Sequence, residues 1–343
     1  MQPRGREFDP RTLHSLLYTT GPPLPVTVES PAYAVIRFAM YAALIGLAGA
    51  AFFVLLLLRR VRGLGLGSDL FAEDAASAAR RIALVCVTVL LIATPARLIA
   101  QSLVLFGNAT DILGAVTTTL WGRAWLLQCA GAAVALIALL GARGIAVLRW
   151  RVAGIGAIAI ALGFSLSGHA AAVTRYEALA VVVDSTHILA AGAWVGTLTA
   201  LAIAGIPAAL RTPDATRAGT AAALVNAFSP LALLAAAILA VTGTFAAWEA
   251  LGGFAPLFQT PYGNMLLRKL FFIAVMAVIG AVNWRVLRPK LGTELAARAI
   301  RRSAFRELAV AVVVIAFTAL LVAMPTHDED APAAASAAAS SVQ

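Results

Sequence analysis

The chain has 343 residues, of which 61% are hydrophobic and only 12% are charged. That composition excludes a soluble globular protein and predicts an integral membrane protein. The formal net charge of +10 does not indicate nucleic-acid binding, because the cations are concentrated in alternate loops between apolar segments.

Eight apolar segments are each long enough to cross a bilayer as a helix, which takes about 20 residues. They cover, approximately, residues 34 to 58, 82 to 105, 120 to 141, 148 to 167, 178 to 205, 228 to 250, 266 to 287 and 307 to 324. The predicted fold class is therefore an all-α polytopic membrane protein with eight transmembrane helices.

Charged loops predict the orientation of these spans. Arginine and lysine cluster in the loops after spans 1, 3, 5 and 7, whereas the alternate loops hold a single cation, Arg175. Because positively charged loops stay in the cytoplasm, both termini are predicted to be extracytoplasmic. The predicted organisation is an extracytoplasmic N-terminal segment (1–33), a membrane domain (34–325) and a disordered extracytoplasmic tail (326–343). Cys86 and Cys129 fall within helices and are predicted to be buried thiols.

A weak internal similarity suggests a repeat of four helices in parallel orientation. Thr119-Leu-Trp-Gly at the start of span 3 resembles Thr260-Pro-Tyr-Gly at the start of span 7. Functional sites of repeated transporters lie near the interface of the two halves. Small residues that let helices approach closely are frequent in spans 1 and 5, notably Gly46, Gly49, Gly192 and Gly196.

Span 5 carries the most informative polar residues. Asp184, His187, Ala191, Trp194 and Leu198 advance by three and four residues, which predicts one shared helix face. His187 follows Glu177 by ten residues, so it lies roughly 15 Å into the bilayer. Ionisable groups at that depth usually have a function. His187 is either a metal or haem ligand whose second nitrogen is oriented by a neighbour such as Asp184, or an interhelical hydrogen-bonding residue.

Further candidate ligands lie toward the predicted outer surface. His169 ends span 4, and in a regular hairpin its depth differs from that of His187 by roughly 15 Å, too far to share one metal ion. The thioethers of Met40, Met265 and Met324 suit Cu(I), although methionine is also ordinary packing material.

Weaker candidate residues lie within spans 7 and 8 and in the C-terminal tail. Lys269 and Glu307 lie within spans and are candidates for an ion pair or a proton relay. The tail residues His327, Asp328 and Asp330 offer nitrogen and oxygen donors for weak capture of a divalent metal, or form a solvated acidic cluster.

Several stretches resemble the CopD (PcoD) family of bacterial copper-resistance inner-membrane proteins, most clearly over residues 224 to 325. The matching stretches are Gly168-His169-Ala170, Asp184-Ser-Thr-His187 with Trp194 and Gly196, Phe228-Ser229-Pro230, Thr242-Gly243, Thr260-Pro-Tyr-Gly263 through Lys269, Asn283-Trp-Arg285, Arg306-Glu307 and Met324-Pro325.

This resemblance implies a multi-pass inner-membrane protein that moves copper across the cytoplasmic membrane and receives it on the periplasmic side. His169 and His187 are then the first residues to assign to copper, with Asp184 and Trp194 in support. A small periplasmic copper-binding protein, CopC, is the implied partner. Some members carry a fused CopC domain, for which residues 1–33 are too short, so a separate donor is expected.

Two other functions remain open. The chain could be a membrane b-type haem protein or oxidoreductase with His187 as axial ligand, in which case a methionine or another side chain must act as the opposite ligand. It could also be a structural subunit that binds no metal. A copper transporter without enzymatic activity is the main prediction, with the choice between Cu(I) and Cu(II) left open.

Overall fold

The computed structural model describes residues 31–106, 112–168, 176–212, 214–322 and 324. These residues form eight helices that are long and apolar enough to cross a membrane, and they contain no strand. The predicted all-α polytopic fold class is therefore confirmed. The predicted N-terminal segment and C-terminal tail lie almost wholly outside the described residues.

The spanning helices are α1 (Pro31–Gly63), α2 (Asp69–Phe106), α3 (Leu120–Leu140), α4 (Val147–Leu166), α5 (Glu177–Leu210), α6 (Asp214–Leu251), α7 (Pro261–Lys290) and α8 (Glu294–Leu321). Two short helices, Ile112–Thr118 and Pro256–Gln259, precede α3 and α7. Wider, π-helical turns interrupt α1 at Phe53–Leu58, α5 at Gly192–Gly196 and Leu201–Gly205, and α7 at Asn283–Leu287.

Several helices continue beyond the apolar segment that predicted them. The second apolar segment begins near residue 82, but α2 begins at Asp69. Phe71, Ala72, Ala75 and Ala79 are buried in this extension and belong to the main hydrophobic core. Their spacing of one, three and four residues gives the extension an apolar face, so packing lengthens the helix at the predicted cytoplasmic end.

Helices α1 and α5 form the centre of the bundle. In each of these helices 72% of the most apolar 18-residue stretch is buried. The corresponding share in α7, which lies at the periphery, is 11%. The two central helices cross in direct backbone contact, because a Cβ atom at Gly49 would overlap the backbone of Gly196. Gly192 packs against Ala48, where an added Cβ would lie 2.7 Å from the alanine Cβ. The predicted role of these small residues in close helix packing is confirmed.

Candidate functional site

His187 of α5 is held by a hydroxyl group on α6. Its Nδ1 lies 2.8 Å from Thr242 Oγ1, and Thr242 Oγ1 donates to the backbone oxygen of Ile238 at 2.7 Å. With its single proton on that carbonyl, Thr242 accepts a hydrogen bond from Nδ1–H, an arrangement that corresponds to the imidazole tautomer protonated at Nδ1. In this tautomer the lone pair of the imidazole is on Nε2. Nε2 has no hydrogen bond within the part of the chain that the structure describes, and it is available to a metal ion.

Gly243 gives the imidazole its room. A Cβ atom at this position would lie 3.3 Å from His187 Cε1 and 3.9 Å from Nδ1, closer than most side-chain contacts in the first case. The adjacent residues Thr242 and Gly243 therefore have different roles. The hydroxyl orients the ring and the absent side chain lets the ring lie against α6.

Asp184 faces a different neighbour from His187. Its Oδ2 accepts a hydrogen bond from Ser165 Oγ of α4 at 2.7 Å, and Ser185 Oγ donates to Ser165 Oγ at 2.9 Å. The prediction that Asp184 orients the imidazole differs from the structure, in which Thr242 makes the hydrogen bond to the ring. The one-turn spacing along α5 is present, but the carboxylate points to α4 and the imidazole to α6.

Lys269 of α7 lies in the same region of the bundle. Its charge interacts with that of Asp184, and it is also close enough to influence His187 electrostatically. Opposite charges reduce one another's cost of burial in a medium of low dielectric constant. The region therefore combines a carboxyl group, an amine and an imidazole, and we refer to Ser165, Asp184, His187, Thr242 and Lys269 as the outer polar cluster.

Trp194 belongs to a second cluster, deeper along α5. Its Nε1 donates to Glu307 Oε1 of α8 at 3.0 Å, and Asn283 Nδ2 of α7 donates to Glu307 Oε2 at 3.2 Å. Glu307 is only 4% exposed. Seven residues separate His187 from Trp194, about 10 Å along the helix. Lys269 and Glu307, each a candidate for an ion pair or a proton relay, belong to different clusters.

The predicted shared face of α5 is thus divided among three neighbouring helices. Asp184 contacts α4, His187 contacts α6 and Trp194 contacts α8. The π-helical turn Gly192–Gly196 contains Trp194 and changes the number of residues per turn there. A constant period of 3.6 residues therefore misplaces the indole relative to the imidazole.

The three candidate methionines lie in two separate places. Met40 is in the main core of the bundle and is 2% exposed. Met265 and Met324 both pack on a small cluster of Leu251, Leu266 and Leu321, at the predicted outer ends of α6, α7 and α8.

Other potential donors are dispersed. Among the described residues there is no group of three or more histidine, cysteine, aspartate or glutamate residues that could hold a metal ion. Cys86 and Cys129 are free and partly buried, in α2 and α3. The remaining predicted ligands lie outside the described residues: His169, His327, Asp328 and Asp330.

Arg97 fixes the end of α4 just before His169. Its Nη1 donates to Ser167 Oγ and its Nη2 to the Ser167 backbone oxygen, both at 2.9 Å. The guanidinium group is buried and also lies over the ring of Trp121, 5.4 Å from its centroid. Arg97 of α2 therefore anchors the end of α4 at Ser167.

Sequence comparison identifies the family. A family model described as copper resistance protein D matches residues 222–321. A second, described as copper resistance protein D-like, N-terminal domain, matches residues 28–176. The chain belongs to the copper resistance protein D family. The resemblance seen in the sequence is confirmed, and a role in copper handling and a multi-pass location in a membrane, consistent with the bacterial inner membrane, follow from it.

A curated relative, the copper transport protein CutJ of Bacillus subtilis (strain 168), is 28% identical over 223 residues. The match covers 62% of this chain and 38% of CutJ, so the chain corresponds to well under half of the relative's length. No solved structure gives a significant match. Thr242, Lys269 and Glu307 fall within the range of the copper resistance protein D model, whereas His187 lies between the two matched ranges.

Proposed function

We propose that this protein transports copper across the cytoplasmic membrane, and that it receives the ion on the periplasmic side. The observation that carries the proposal is the placement of His187: an imidazole at the packing of α5 against α6, held at Nδ1 by Thr242, with no hydrogen bond from Nε2 to any described residue. Neutral imidazole is a good ligand for copper. Membership of the copper resistance protein D family and the name of the relative CutJ support copper as the transported ion.

The electrostatics of the outer polar cluster fit a transient ligand rather than a permanent site. Asp184 favours a cation nearby and Lys269 opposes it, so neither tight retention nor exclusion results. A membrane potential that is negative inside would favour inward movement by about 2.3 kcal/mol per elementary charge per 100 mV. His187 is then one step on a pathway, since the described residues provide few further donors around it.

Other predicted ligands would serve the entrance. We propose that His169, and more weakly His327, Asp328 and Asp330, accept copper at the periplasmic surface. A small periplasmic copper-binding protein of the CopC type would be the donor. Met265 and Met324 pack on one hydrophobic cluster, so their thioethers are candidates for an outer Cu(I) ligand pair. Met40 would be a ligand on α1.

Copper uptake into proteoliposomes tests the proposal. His187→Ala removes the Nε2 ligand, and we expect initial uptake to fall by roughly tenfold or more. His14→Ala is the matched control, because it removes a histidine to which no role is assigned, and we expect its uptake to equal wild type. Wild-type uptake in His187→Ala would contradict the proposal.

A visible absorption spectrum of the same purified protein distinguishes copper transport from the haem alternative. Copper transport predicts no Soret band in wild type. A Soret band that is lost in His187→Ala would instead identify His187 as a haem ligand and would replace the transport proposal.

A further inference from the structure

The end of α7 lines an open cavity that the proposed copper pathway does not use. The cavity has a volume of about 430 Å³ and lies between α6 and α7. Its lining residues are Asn226, Trp284, Arg285, Arg288 and Pro289. Two of these five side chains are cationic and none is acidic, so the cavity is a site of positive potential.

The two arginines are differently arranged. Arg288 Nε donates to Asn226 Oδ1 at 2.7 Å, which holds its guanidinium group at the cavity wall. Arg285 makes no hydrogen bond or ion pair to any described residue, so all its donors are available. One fixed and one adjustable guanidinium group match the oxygen atoms of a phosphate, which arginine binds in a bidentate manner.

The cavity lies where the apolar part of the bundle ends. The predicted apolar segments begin at about residue 228 and end at about residue 287, so Asn226 and Arg288 flank the membrane boundary. Trp284 is 44% exposed, and tryptophan is enriched at this level of a bilayer. The neighbouring Asn283 points inward to Glu307, so the π-helical turn Asn283–Leu287 serves both the interior and the boundary.

An apolar track leads away from the cavity along α7. Val278, Val282 and Val286 follow one another at four-residue spacing and are 63%, 48% and 47% exposed. Val278 and Val282 lie along one side of the regular part of α7, and Val286 follows in the wider π-helical turn Asn283–Leu287. A ligand with a phosphate at one end and hydrocarbon chains at the other would contact both the arginines and these valines, which a soluble phosphate compound could not do.

We propose that this cavity binds the phosphate headgroup of an anionic phospholipid, such as phosphatidylglycerol, from the leaflet at the predicted cytoplasmic side. Basic pockets between transmembrane helices on that side bind such headgroups. The phosphodiester accepts hydrogen bonds from Arg285 and Arg288, and an acyl chain lies along the valine track. This site is independent of the copper pathway, and its test does not require transport.

Native mass spectrometry of the full chain in detergent tests the proposal. The probes are phosphatidylglycerol, phosphatidylcholine and inorganic phosphate. We expect wild type to retain phosphatidylglycerol in preference to phosphatidylcholine, and Arg285→Gln to weaken retention by about fivefold, which corresponds to about 1 kcal/mol for one arginine. Arg285→Gln removes no described contact, so we expect this variant to fold as wild type does. The double variant Arg285→Gln/Arg288→Gln should lose more.

The control is Arg59→Gln/Arg60→Gln, which removes two exposed arginines at the same predicted side, at the end of the apolar part of α1. We expect this variant to retain phosphatidylglycerol as wild type does. Equal losses in both double variants would show only a general effect of charge and would overturn the proposal. So would equal retention of the two lipids, or displacement of phosphatidylglycerol by millimolar inorganic phosphate, which would indicate a site for a soluble anion.

Discussion

The hydroxyl of Thr242 determines which nitrogen of His187 can meet an ion. With the Thr242 proton on the carbonyl of Ile238, the ring donates through Nδ1, and the lone pair is on Nε2. Metal-binding histidines usually have the second nitrogen fixed in this way by a hydrogen-bond partner. The carboxylate of Asp184, although only one turn away, contributes charge rather than orientation.

The variant Thr242→Val tests this role. Valine has nearly the shape of threonine but accepts no hydrogen bond, so Nδ1–H loses its partner and the ring is free to rotate or change tautomer. We expect copper uptake to fall by about tenfold and Thr242→Ser to retain most of it.

Thr244→Val is the control for this position. Thr244 lies two residues further along α6, is exposed and bonds only to its own helix, at Ala240. We expect wild-type uptake. A loss of the same size in Thr244→Val would mean that hydroxyl groups on α6 act through the helix rather than through His187.

At the scale of the helices, π-helical turns direct two side chains to one buried carboxyl group. Trp194 lies in the turn Gly192–Gly196 and Asn283 begins the turn Asn283–Leu287. Both donate to Glu307, so α5, α7 and α8 are joined at one point. Hydrogen bonds between transmembrane helices contribute on average about 0.6 kcal/mol, and up to about 1.7 kcal/mol.

The variant Trp194→Phe should therefore lower the free energy of unfolding by about 1 kcal/mol. Unfolding of the purified protein by SDS measures it. Trp248→Phe is the control, since Trp248 is 53% exposed and its indole N–H has no described hydrogen bond. In a Glu307→Leu background, which removes the acceptor oxygens, the effect of Trp194→Phe should shrink, as expected of a direct contact. An undiminished effect in that background would assign the loss to packing instead.

A second prediction at this scale concerns the crossing of α1 and α5. Gly49→Ala places a methyl group where the backbone of Gly196 lies, so the helices must separate. We expect a loss of about 1 to 3 kcal/mol in the free energy of unfolding. Gly219→Ala in α6 meets no atom within 4 Å and should leave stability unchanged or slightly higher. Equal stability of the Gly49→Ala variant would refute the close crossing.

These helices were predictable from the sequence only in part. Apolar length predicts the eight helices, because a span must satisfy its backbone within itself. Apolar length does not predict the extension of α2 from Asp69, where most of the buried residues are alanines. The depth of His187 follows from counting residues, but its partner Thr242 is 55 residues away and depends on how α5 packs against α6. The π-helical turn at Trp194 has no signal in the period of the sequence.

At the scale of the whole molecule, several features support the predicted repeat of four helices. The Thr119 side chain accepts from Gly122 N at the start of α3, and the Thr260 side chain accepts from Gly263 N at the start of α7. The first helix of each half, α1 and α5, is central and equally buried. A repeat in parallel orientation would bring α1 and α5 together at the interface of the halves, where Gly49 and Gly196 make backbone contact.

The orientation of the spans in the membrane is a further prediction at this scale. The eight spans of the described residues predict that residues 31 and 322 lie on the same side, and the arginine-rich loops predict that this side is extracytoplasmic. In a background of Cys86→Ala and Cys129→Ala, Gly253→Cys introduces a thiol between α6 and α7, on the predicted outer side. Arg60→Cys introduces one at the predicted inner side. Arg60 is exposed and Gly253 is partly exposed, so each thiol is accessible to a reagent on its own side.

We expect a membrane-impermeant maleimide to label Gly253→Cys in spheroplasts and to leave Arg60→Cys unlabelled until the membrane is permeabilised. The reason is that exporting the arginine-rich loops would oppose the charge bias that sets topology. The reverse pattern would place His169 and the entrance of the proposed pathway in the cytoplasm. The copper would then move outward through His187, against the membrane potential, so the labelling result decides the direction in which the outer polar cluster is loaded.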